Sequence, residues 1–160
     1  MTKTYAVIGD PIDNSLSPNI HNAAFKKLGL DCTYIAYRVP KGELAAGVES
    51  LKKIKISGFN VTIPHKVAMI KFLDTVDENC SIIGATNTVS NDEGKLRGYN
   101  TDMEGFLDPI KKRNIPIKDS NVLLIGAGGA ARAITAGFAK EKARKITIAN
   151  RTLQNANAAF

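Results

Sequence analysis

A glycine-rich turn between an apolar strand and a helix constrains the fold of this chain more than any other feature. The apolar run Val122–Ile125 leads directly into Gly126-Ala127-Gly128-Gly129-Ala130-Ala131. A small-residue helix is predicted over Ala131–Lys142, and a second strand over Lys145–Ala149. In such a β-α-β unit the glycines permit a tight turn, and the helix N-terminus favours a pyrophosphate. The pattern predicts the start of a dinucleotide-binding domain; the alternative is a strand-helix turn without a ligand.

The residues after the second strand indicate which dinucleotide would bind. An NAD site places a carboxylate there for the ribose hydroxyls, whereas this chain has Asn150-Arg151-Thr152. A guanidinium with amide and hydroxyl groups suits a ribose phosphate, although an arginine at a strand end is also common on solvated surfaces. We therefore expect NADP. The predicted cofactor-binding residues are Gly126, Ala127, Gly128, Gly129, Ala130, Asn150, Arg151 and Thr152.

The preceding part of the chain alternates predicted strands with predicted helices. Apolar or β-branched runs predict strands at Tyr5–Gly9, Tyr34–Val39 and Gly58–Ile63. A helix is expected to begin at Ser17-Pro18, with Ser17 as its cap, and another covers Glu43–Lys53. Two β-α units at this spacing predict an α/β domain with a mostly parallel sheet.

The remaining turn signals complete the predicted organisation. The turn Asn91-Asp92-Glu93-Gly94 predicts a hairpin, and Asp102 is expected to cap a helix. The segment Asn114-Ile115-Pro116 is typical of a linker. We expect an α/β substrate-binding and catalytic domain over residues 1–113, a linker over 114–120, and the start of a Rossmann-like NADP-binding domain over 121–160. One β-α-β unit is less than half of a doubly wound domain, so the 160-residue chain alone is expected to be inactive.

Polar side chains at predicted strand ends and loops form the second candidate site. Pro64 is expected to open a helix and to place Lys66 in its first turn, where the dipole lowers the pKa of an ammonium. Such a lysine suits acid-base catalysis, although a tolerated surface charge is the alternative. Further polar groups, which together suit a polyhydroxylated small molecule, are Ser15, Ser17, Asn60, Thr62, Asn87 and Asp102.

The order of these motifs resembles the shikimate dehydrogenase family over essentially the whole chain. The matching motifs are Ser15-Leu16-Ser17-Pro18, Asn60-Val61-Thr62-Ile63-Pro64-His65-Lys66, Gly84-Ala85-Thr86-Asn87-Thr88, Gly98-Tyr99-Asn100-Thr101-Asp102, the glycine turn and Asn150-Arg151-Thr152. The resemblance implies NADP-dependent, reversible reduction of 3-dehydroshikimate to shikimate, on the route to chorismate and aromatic amino acids.

The resemblance also implies residue roles. Ser15 and Ser17 match the pair that binds the substrate carboxylate, and Lys66 with Asp102 matches the catalytic pair. The groups around the ring hydroxyls would be Thr62, Lys66, Asn87 and Asp102. The family continues well beyond residue 160, so its later substrate contacts have no counterpart here. A quinate or dual-substrate dehydrogenase and a non-catalytic shikimate- or nucleotide-binding module remain alternatives.

Composition narrows the classes of ligand and the cellular location that we expect for this chain. The net charge of +7 is dispersed, which favours attraction of anionic small molecules over a nucleic-acid surface. No apolar run approaches the roughly eighteen residues of a membrane span, and the N-terminus lacks a signal cleavage site, so we expect a cytoplasmic protein. Cys32 and Cys80 stand far apart with His21 and His65 as the only histidines, so no metal site is expected. A homodimer is left open.

Overall fold

A computed structural model describes residues 2–157 of the chain. In chain order its elements are β1 (Lys3–Gly9), α1 (Ser17–Lys27), β2 (Cys32–Arg38), α2 (Leu44–Lys53), β3 (Gly58–Val61), a 3-10 helix (Ala68–Phe72), β4 (Thr75–Val76), α3 (Glu78–Ile83), β5 (Thr88–Asp92), β6 (Lys95–Tyr99), α4 (Asp102–Lys112), β7 (Asn121–Ile125), α5 (Gly129–Lys140), β8 (Lys145–Ala149) and α6 (Leu153–Asn157). The predicted α/β fold class is confirmed.

The elements form two compact units. The first unit comprises the chain up to Asp77 together with Thr86–Tyr99, and the second comprises Glu78–Ala85 with the chain from Asn100 onwards. Helices α3 and α4 thus belong to the second unit, although the sequence places them with the first domain. Compact units defined by packing differ from independently folding domains, so the linker at 114–120 stays a prediction.

The first unit is built on a six-stranded sheet of order β2-β1-β3-β5-β6-β4. Strand β1 is parallel to β2 and β3, β4 is parallel to β6, and β5 is antiparallel to both β3 and β6. The predicted β5-β6 hairpin is present. Its turn residues Glu93 and Gly94 have φ of 49° and 93°, as a two-residue type I′ turn requires.

Helix α2 covers one face of this sheet. Its buried residues Leu44, Val48 and Leu51 recur at helical spacing, and they pack with Ala6 and Ile8 of β1. On the opposite face, α1 packs through Phe25 against residues of β1 and β2. Because helices pack on both faces of the sheet around β1, the end of this strand has a fixed position.

The second unit places α5 between a strand pair and α4. Strands β7 and β8 are parallel and in register. Met103 and Leu107 of α4 pack with Ala133 of α5, and a Cβ on Gly137 would lie 3.0 Å from atoms of both α4 residues. Small residues on α5 therefore allow the two helices to approach closely.

Two properties of residues 2–157 bear on location and cofactors. No helix there combines the length and apolarity needed to cross a bilayer. The same residues contain no group of three or more His, Cys, Asp or Glu side chains that could hold a metal ion, and Cys32 and Cys80 form no disulfide.

Candidate functional site

The ends of β1 and β3 bring several of the predicted substrate residues together in the first unit. Thr62 directly follows β3, and its N–H donates to the Ile8 carbonyl at 2.9 Å. Asn87 directly precedes β5, and its carbonyl accepts the Val61 N–H at 2.9 Å. Both side chains are half-buried. The backbone ladder therefore fixes Thr62 and Asn87 at one edge of the sheet.

Lys66 joins this edge through a turn rather than a helix. Residues 64–67 form turns, and a short 3-10 helix begins only at Ala68, so the prediction that Pro64 opens an α-helix is wrong. The Lys66 carbonyl accepts the Thr86 N–H at 2.9 Å, which ties the turn to the residue before Asn87. Without an α-helix at Pro64, no helix dipole acts on the Lys66 ammonium.

A buried histidine explains why the chain turns here. His65 is 3% exposed, and its Nε2–H donates to the Val39 carbonyl at 2.7 Å. Its backbone N–H donates to the Thr62 carbonyl, and its carbonyl accepts the Met69 N–H. The side chain thus pins the turn to the β2-α2 connection, and this anchoring replaces regular helical bonding.

The loop after β1 carries the two serines. The Ser17 N–H donates to Ser15 Oγ at 3.3 Å, so the Ser15 hydroxyl lies at the start of α1, of which Ser17 is the first residue. The N-cap of α1 is Leu16 without a side-chain hydrogen bond, and the prediction that Ser17 caps the helix is wrong. At the start of the loop, the Asp10 N–H donates to the Ile63 carbonyl at 2.9 Å. This bond holds the serine loop against the end of β3.

A close approach at Gly9 permits this contact between β1 and β3. A Cβ on Gly9 would lie 2.5 Å from Thr62 Cγ2 and 2.7 Å from the Ile63 carbonyl oxygen. Real Cβ contacts essentially never fall below 3.0 Å, so only glycine fits. Thr62 can therefore take this position only because Gly9 has no side chain.

Asp102 lies in the second unit as the first residue of α4. Its N–H donates to Asn100 Oδ1 at 3.0 Å, and the buried Asn100 donates through Nδ2 to the Ala85 carbonyl at 2.9 Å. The N-cap residue is Thr101, which makes no side-chain cap, so the prediction that Asp102 caps the helix is wrong. The pairing of Asp102 with Lys66 stays a prediction.

The glycine turn of the second unit has the geometry of an anion site. Gly126 has φ of 115°, a conformation that favours glycine, and a Cβ on Gly126 or Gly128 would meet no described atom within 4 Å. Helix α5 begins at Gly129, and within its described first turn there is no acidic side chain. Its N-cap, Gly128, makes no side-chain hydrogen bond. The first N–H groups and the helix dipole thus suit a phosphate.

The residues after β8 share this sheet edge with the glycine turn. Ile125 pairs with Ala149, and the Gly126 N–H donates to the Ala149 carbonyl at 2.8 Å, so both strands end together. Asn150 Nδ2 donates to the Thr152 carbonyl at 2.7 Å, which folds the triplet into a compact bend, and Arg151 is exposed. Ala127 lies in the turn, and Gly129 and Ala130 are the first two residues of α5. The residues present therefore fit a pyrophosphate and a ribose phosphate.

Comparison with known families identifies the chain. The shikimate dehydrogenase substrate binding domain matches residues 7–89, and the shikimate / quinate 5-dehydrogenase family matches residues 110–159. The chain belongs to the shikimate dehydrogenase family. The resemblance inferred from the ordered motifs is thereby confirmed.

Relatives within the shikimate dehydrogenase family extend further than this chain. The NADP(+) shikimate dehydrogenase of Nitrosopumilus maritimus (strain SCM1) is 72% identical over 98% of this chain and 58% of that protein. The crystal structure of shikimate dehydrogenase from Aquifex aeolicus has a TM-score of 0.90 and 41% identity, over 98% of this chain and 59% of that one. Shikimate 5-dehydrogenase from Thermus thermophilus, in complex with NADP(H) and shikimate, has a TM-score of 0.86 and 38% identity, over 99% and 59%. The chain thus spans a little over half the length of these shikimate dehydrogenases.

Sequence reasoning missed one hydrogen-bonded set in the first unit of this shikimate dehydrogenase family member. Tyr34 Oη donates to Asn60 Oδ1 at 2.6 Å, Asn60 Nδ2 donates to Thr88 Oγ1 at 3.0 Å, and Thr88 Oγ1 donates to Asn87 Oδ1 at 2.9 Å. A cavity of about 420 Å³ borders the first three of these residues. Asn60 stands out in the sequence as a polar strand-end residue, but Tyr34 is recognisable only once the strand order is known. The register of the sheet places Tyr34 and Asn60 on the same face. Tyr5 of β1 pairs with Tyr34 of β2 and with Gly58 of β3, and Asn60 lies two residues after Gly58.

Proposed function

We propose that the full-length protein catalyses reversible, NADP-dependent reduction of 3-dehydroshikimate to shikimate, which would serve the route to chorismate and aromatic amino acids. The observation that carries the proposal is the backbone connection of Thr62, Lys66 and Asn87 at one sheet edge, in a member of the shikimate dehydrogenase family. Relatives named as NADP(+) shikimate dehydrogenases and the complex from Thermus thermophilus support it. We assign residues 1–113 to substrate binding and catalysis, and residues 121–160 to the start of the NADP-binding domain.

NADP(H) would be held by the second unit, and its reduced form, NADPH, would supply the hydride. The N–H groups of Ala127, Gly128, Gly129 and Ala130 would donate to the pyrophosphate at the start of α5. Gly126, whose N–H donates to the Ala149 carbonyl, would shape the turn that brings the backbone close to the cofactor. Arg151 would bind the ribose phosphate through a charge-assisted hydrogen bond, with Asn150 and Thr152 beside it. The exposure of Arg151 fits a group that meets its ligand from solvent.

The substrate would be oriented by uncharged donors of the first unit. Ser15 and Ser17 would donate to the substrate carboxylate, and the positions of both residues at the start of α1 suit its two oxygens. Thr62 and Asn87 would bind ring hydroxyls, since the backbone bonds already hold both residues at the sheet edge. Fixed donors of this kind lower the entropic cost of placing the ring for hydride transfer.

Lys66 would move the proton. As a hydride reaches the ketone carbon, the carbonyl oxygen gains negative charge, and the Lys66 ammonium would donate a proton to it. Asp102 would accept a hydrogen bond from the ammonium and hold it in place. In the oxidative direction, neutral Lys66 would accept the proton of the shikimate hydroxyl, and the carbon that bears this hydroxyl would give up its hydride to NADP+.

The test is oxidation of NADPH by 3-dehydroshikimate, measured with the full-length protein. We expect turnover that depends on both compounds, with 3-dehydroquinate and NADH as comparison substrates. A protein that binds shikimate or NADP(H) but shows no turnover in either direction would be a binding module, and the proposal would be wrong. A higher kcat/KM for the quinate pair would instead assign a quinate dehydrogenase.

A further inference from the structure

Tyr34 is held in place by three side chains, those of Asn22, His21 and Asn60. The Asn22 side chain donates through Nδ2 to the Tyr34 carbonyl at 2.8 Å and accepts the Tyr34 N–H through Oδ1 at 2.9 Å. The His21 ring stacks on the Tyr34 ring with 4.2 Å between centroids and 14° between planes. His21 in turn donates through Nδ1 to the carbonyl of Ser17 at 2.9 Å. Only 4% of the surface of Tyr34 is exposed.

The direction of each hydrogen bond beyond Tyr34 follows from the chemistry of the groups. Asn60 Nδ2 lies 3.2 Å from the Asn87 carbonyl, which only accepts, so the Asn60 nitrogen must face it. The Asn60 oxygen then faces the Tyr34 hydroxyl, which must donate. Thr88 Oγ1 receives the second proton of Asn60 Nδ2 and donates its own proton to Asn87 Oδ1. The arrangement therefore turns the Asn87 carboxamide oxygen toward Thr88.

We propose that Tyr34, Asn60 and Thr88 form a polarised hydrogen-bond chain that orients the Asn87 carboxamide, with its oxygen turned to Thr88 and its nitrogen as the group that donates to a substrate oxygen. Tyr34 is then a positioning residue for the reaction, and this inference rests on the proposed function. A carboxamide rotated by half a turn would present an acceptor to the substrate and would leave Thr88 facing an NH2 group. Thr88 Oγ1 could accept a hydrogen bond from that NH2 group, but the Thr88 hydroxyl would lose the Asn87 oxygen as the acceptor for its own proton, so the hydrogen-bond chain disfavours that arrangement.

The environment of the Tyr34 phenol preserves the direction of the hydrogen-bond chain. Burial raises the pKa of Tyr34 to about 12, so the hydroxyl keeps its proton throughout the pH range of an ordinary assay. Asn60 and Thr88 carry no ionisable group. Hydrogen bonds in series also polarise one another, so loss of the first donor weakens the bond at the far end. The hydrogen-bond chain therefore stays uncharged over this pH range while it supports Asn87.

The first experiment measures steady-state kinetics of Tyr34→Phe in the full-length protein. The phenyl ring retains the stacking on His21 and removes only the hydroxyl. We expect kcat/KM for 3-dehydroshikimate to fall about tenfold, as for loss of one hydrogen bond, while KM for NADPH stays unchanged. Tyr5→Phe is the matched control, because Tyr5 lines the same cavity and packs on Phe25 but lies outside the chain.

A double-mutant cycle separates positioning from general stabilisation. If Tyr34 acts through Asn87, Tyr34→Phe should have no further effect on kcat/KM in an Asn87→Ala background. A tenfold loss that persists in that background would show that Tyr34 does not act through Asn87, and the inference would be wrong. Should Tyr34→Phe fail to fold, Thr88→Val breaks the same chain one bond from Asn87 and must reproduce the loss.

A ligand-free measurement keeps the inference separate from the proposed function. The side-chain NH2 resonances of Asn87, assigned by comparison with Asn87→Asp, should be sharp and slow to exchange in the wild-type full-length protein. Exchange should accelerate in Tyr34→Phe and remain unchanged in Tyr5→Phe. Absence of wild-type turnover would defeat the proposed function alone, whereas unchanged Asn87 exchange in Tyr34→Phe would defeat the hydrogen-bond chain alone.

Discussion

Replacing Gly9 with alanine should disturb the edge of the sheet that carries Thr62. The added Cβ would lie 2.5 Å from Thr62 Cγ2 and 2.7 Å from the Ile63 carbonyl oxygen, both well inside the 3.4 Å at which ordinary contact begins. One of these neighbours is backbone, so the clash cannot be relieved by a side-chain rotation alone. Overpacking by one methyl typically costs about 1–3 kcal/mol. For a protein of the relatives' length, about 2 kcal/mol corresponds to a Tm lower by roughly 4–8 °C.

The assay for Gly9→Ala combines thermal unfolding with steady-state kinetics of the full-length protein. Relief of the clash must move β3 away from β1, which shifts Thr62 and loosens the bond from the Thr62 N–H to the Ile8 carbonyl. We therefore expect KM for 3-dehydroshikimate to rise severalfold. KM for NADPH should change little, because the glycine turn belongs to the second unit.

The control for Gly9→Ala is Gly105→Ala. Gly105 lies exposed within α4, and a Cβ there would meet no described atom within 4 Å. Alanine should stabilise that helix by about 0.5–1 kcal/mol, so the two substitutions are expected to shift Tm in opposite directions. If Gly9→Ala unfolds at the wild-type temperature with wild-type KM, the argument that close approach at Gly9 positions Thr62 is refuted.

Three further predictions concern Lys66, Arg151 and Tyr34. Lys66→Met should lower kcat by roughly two to four powers of ten. Lys71→Met, at an exposed position of the 3-10 helix, is the control and should leave kcat unchanged. Near-normal turnover of Lys66→Met would show that Lys66 is not the proton donor. Arg151→Ala should weaken NADP(H) binding about ten- to a hundredfold more than NAD(H) binding. Arg144→Ala, at the opposite end of β8, is the control and should not change this preference. Equal losses of affinity for both cofactors would contradict phosphate recognition by Arg151. Because the pKa of Tyr34 is raised to about 12, the folded state keeps a proton that the unfolded chain loses above about pH 10. The free energy of unfolding should therefore fall between about pH 10 and 12, and Tyr34→Phe should flatten that decline; an equally steep decline would exclude this linkage.

Most of the first unit was predictable because its elements follow local rules. The apolar runs of β1 to β3 and the helical spacing of α2 depend on side chains a few residues apart. The turn at Glu93-Gly94 likewise needs only local backbone conformation. Local rules failed at Pro64, because a proline at a first helical position is also compatible with a turn. The buried ring of His65 and its bond to Val39, 26 residues earlier, decide the conformation there.

The candidate site was predictable as a set of residues and not as an arrangement. Motif order identified Thr62, Lys66 and Asn87, because the chemistry of each side chain is visible in the sequence. The hydrogen-bond chain that leads to Asn87 could not be predicted. Tyr34 and Asn60 lie 26 residues apart in the sequence, and only the order of strands in the sheet brings them within hydrogen-bond distance. Strand order depends on long-range pairing, which no short window of sequence contains.

Each compact unit of this molecule is assembled from two separate stretches of chain. The backbone passes from one unit to the other after Asp77, after Ala85 and after Tyr99, and the short stretch Glu78–Ala85 gives the second unit its buried Ile83 and Ala85. No single cut in the gene therefore separates the two units cleanly. Recombination that exchanges the chain from Asn100 onwards as a contiguous cassette would leave behind Ile83 and Ala85, which belong to the core of the second unit.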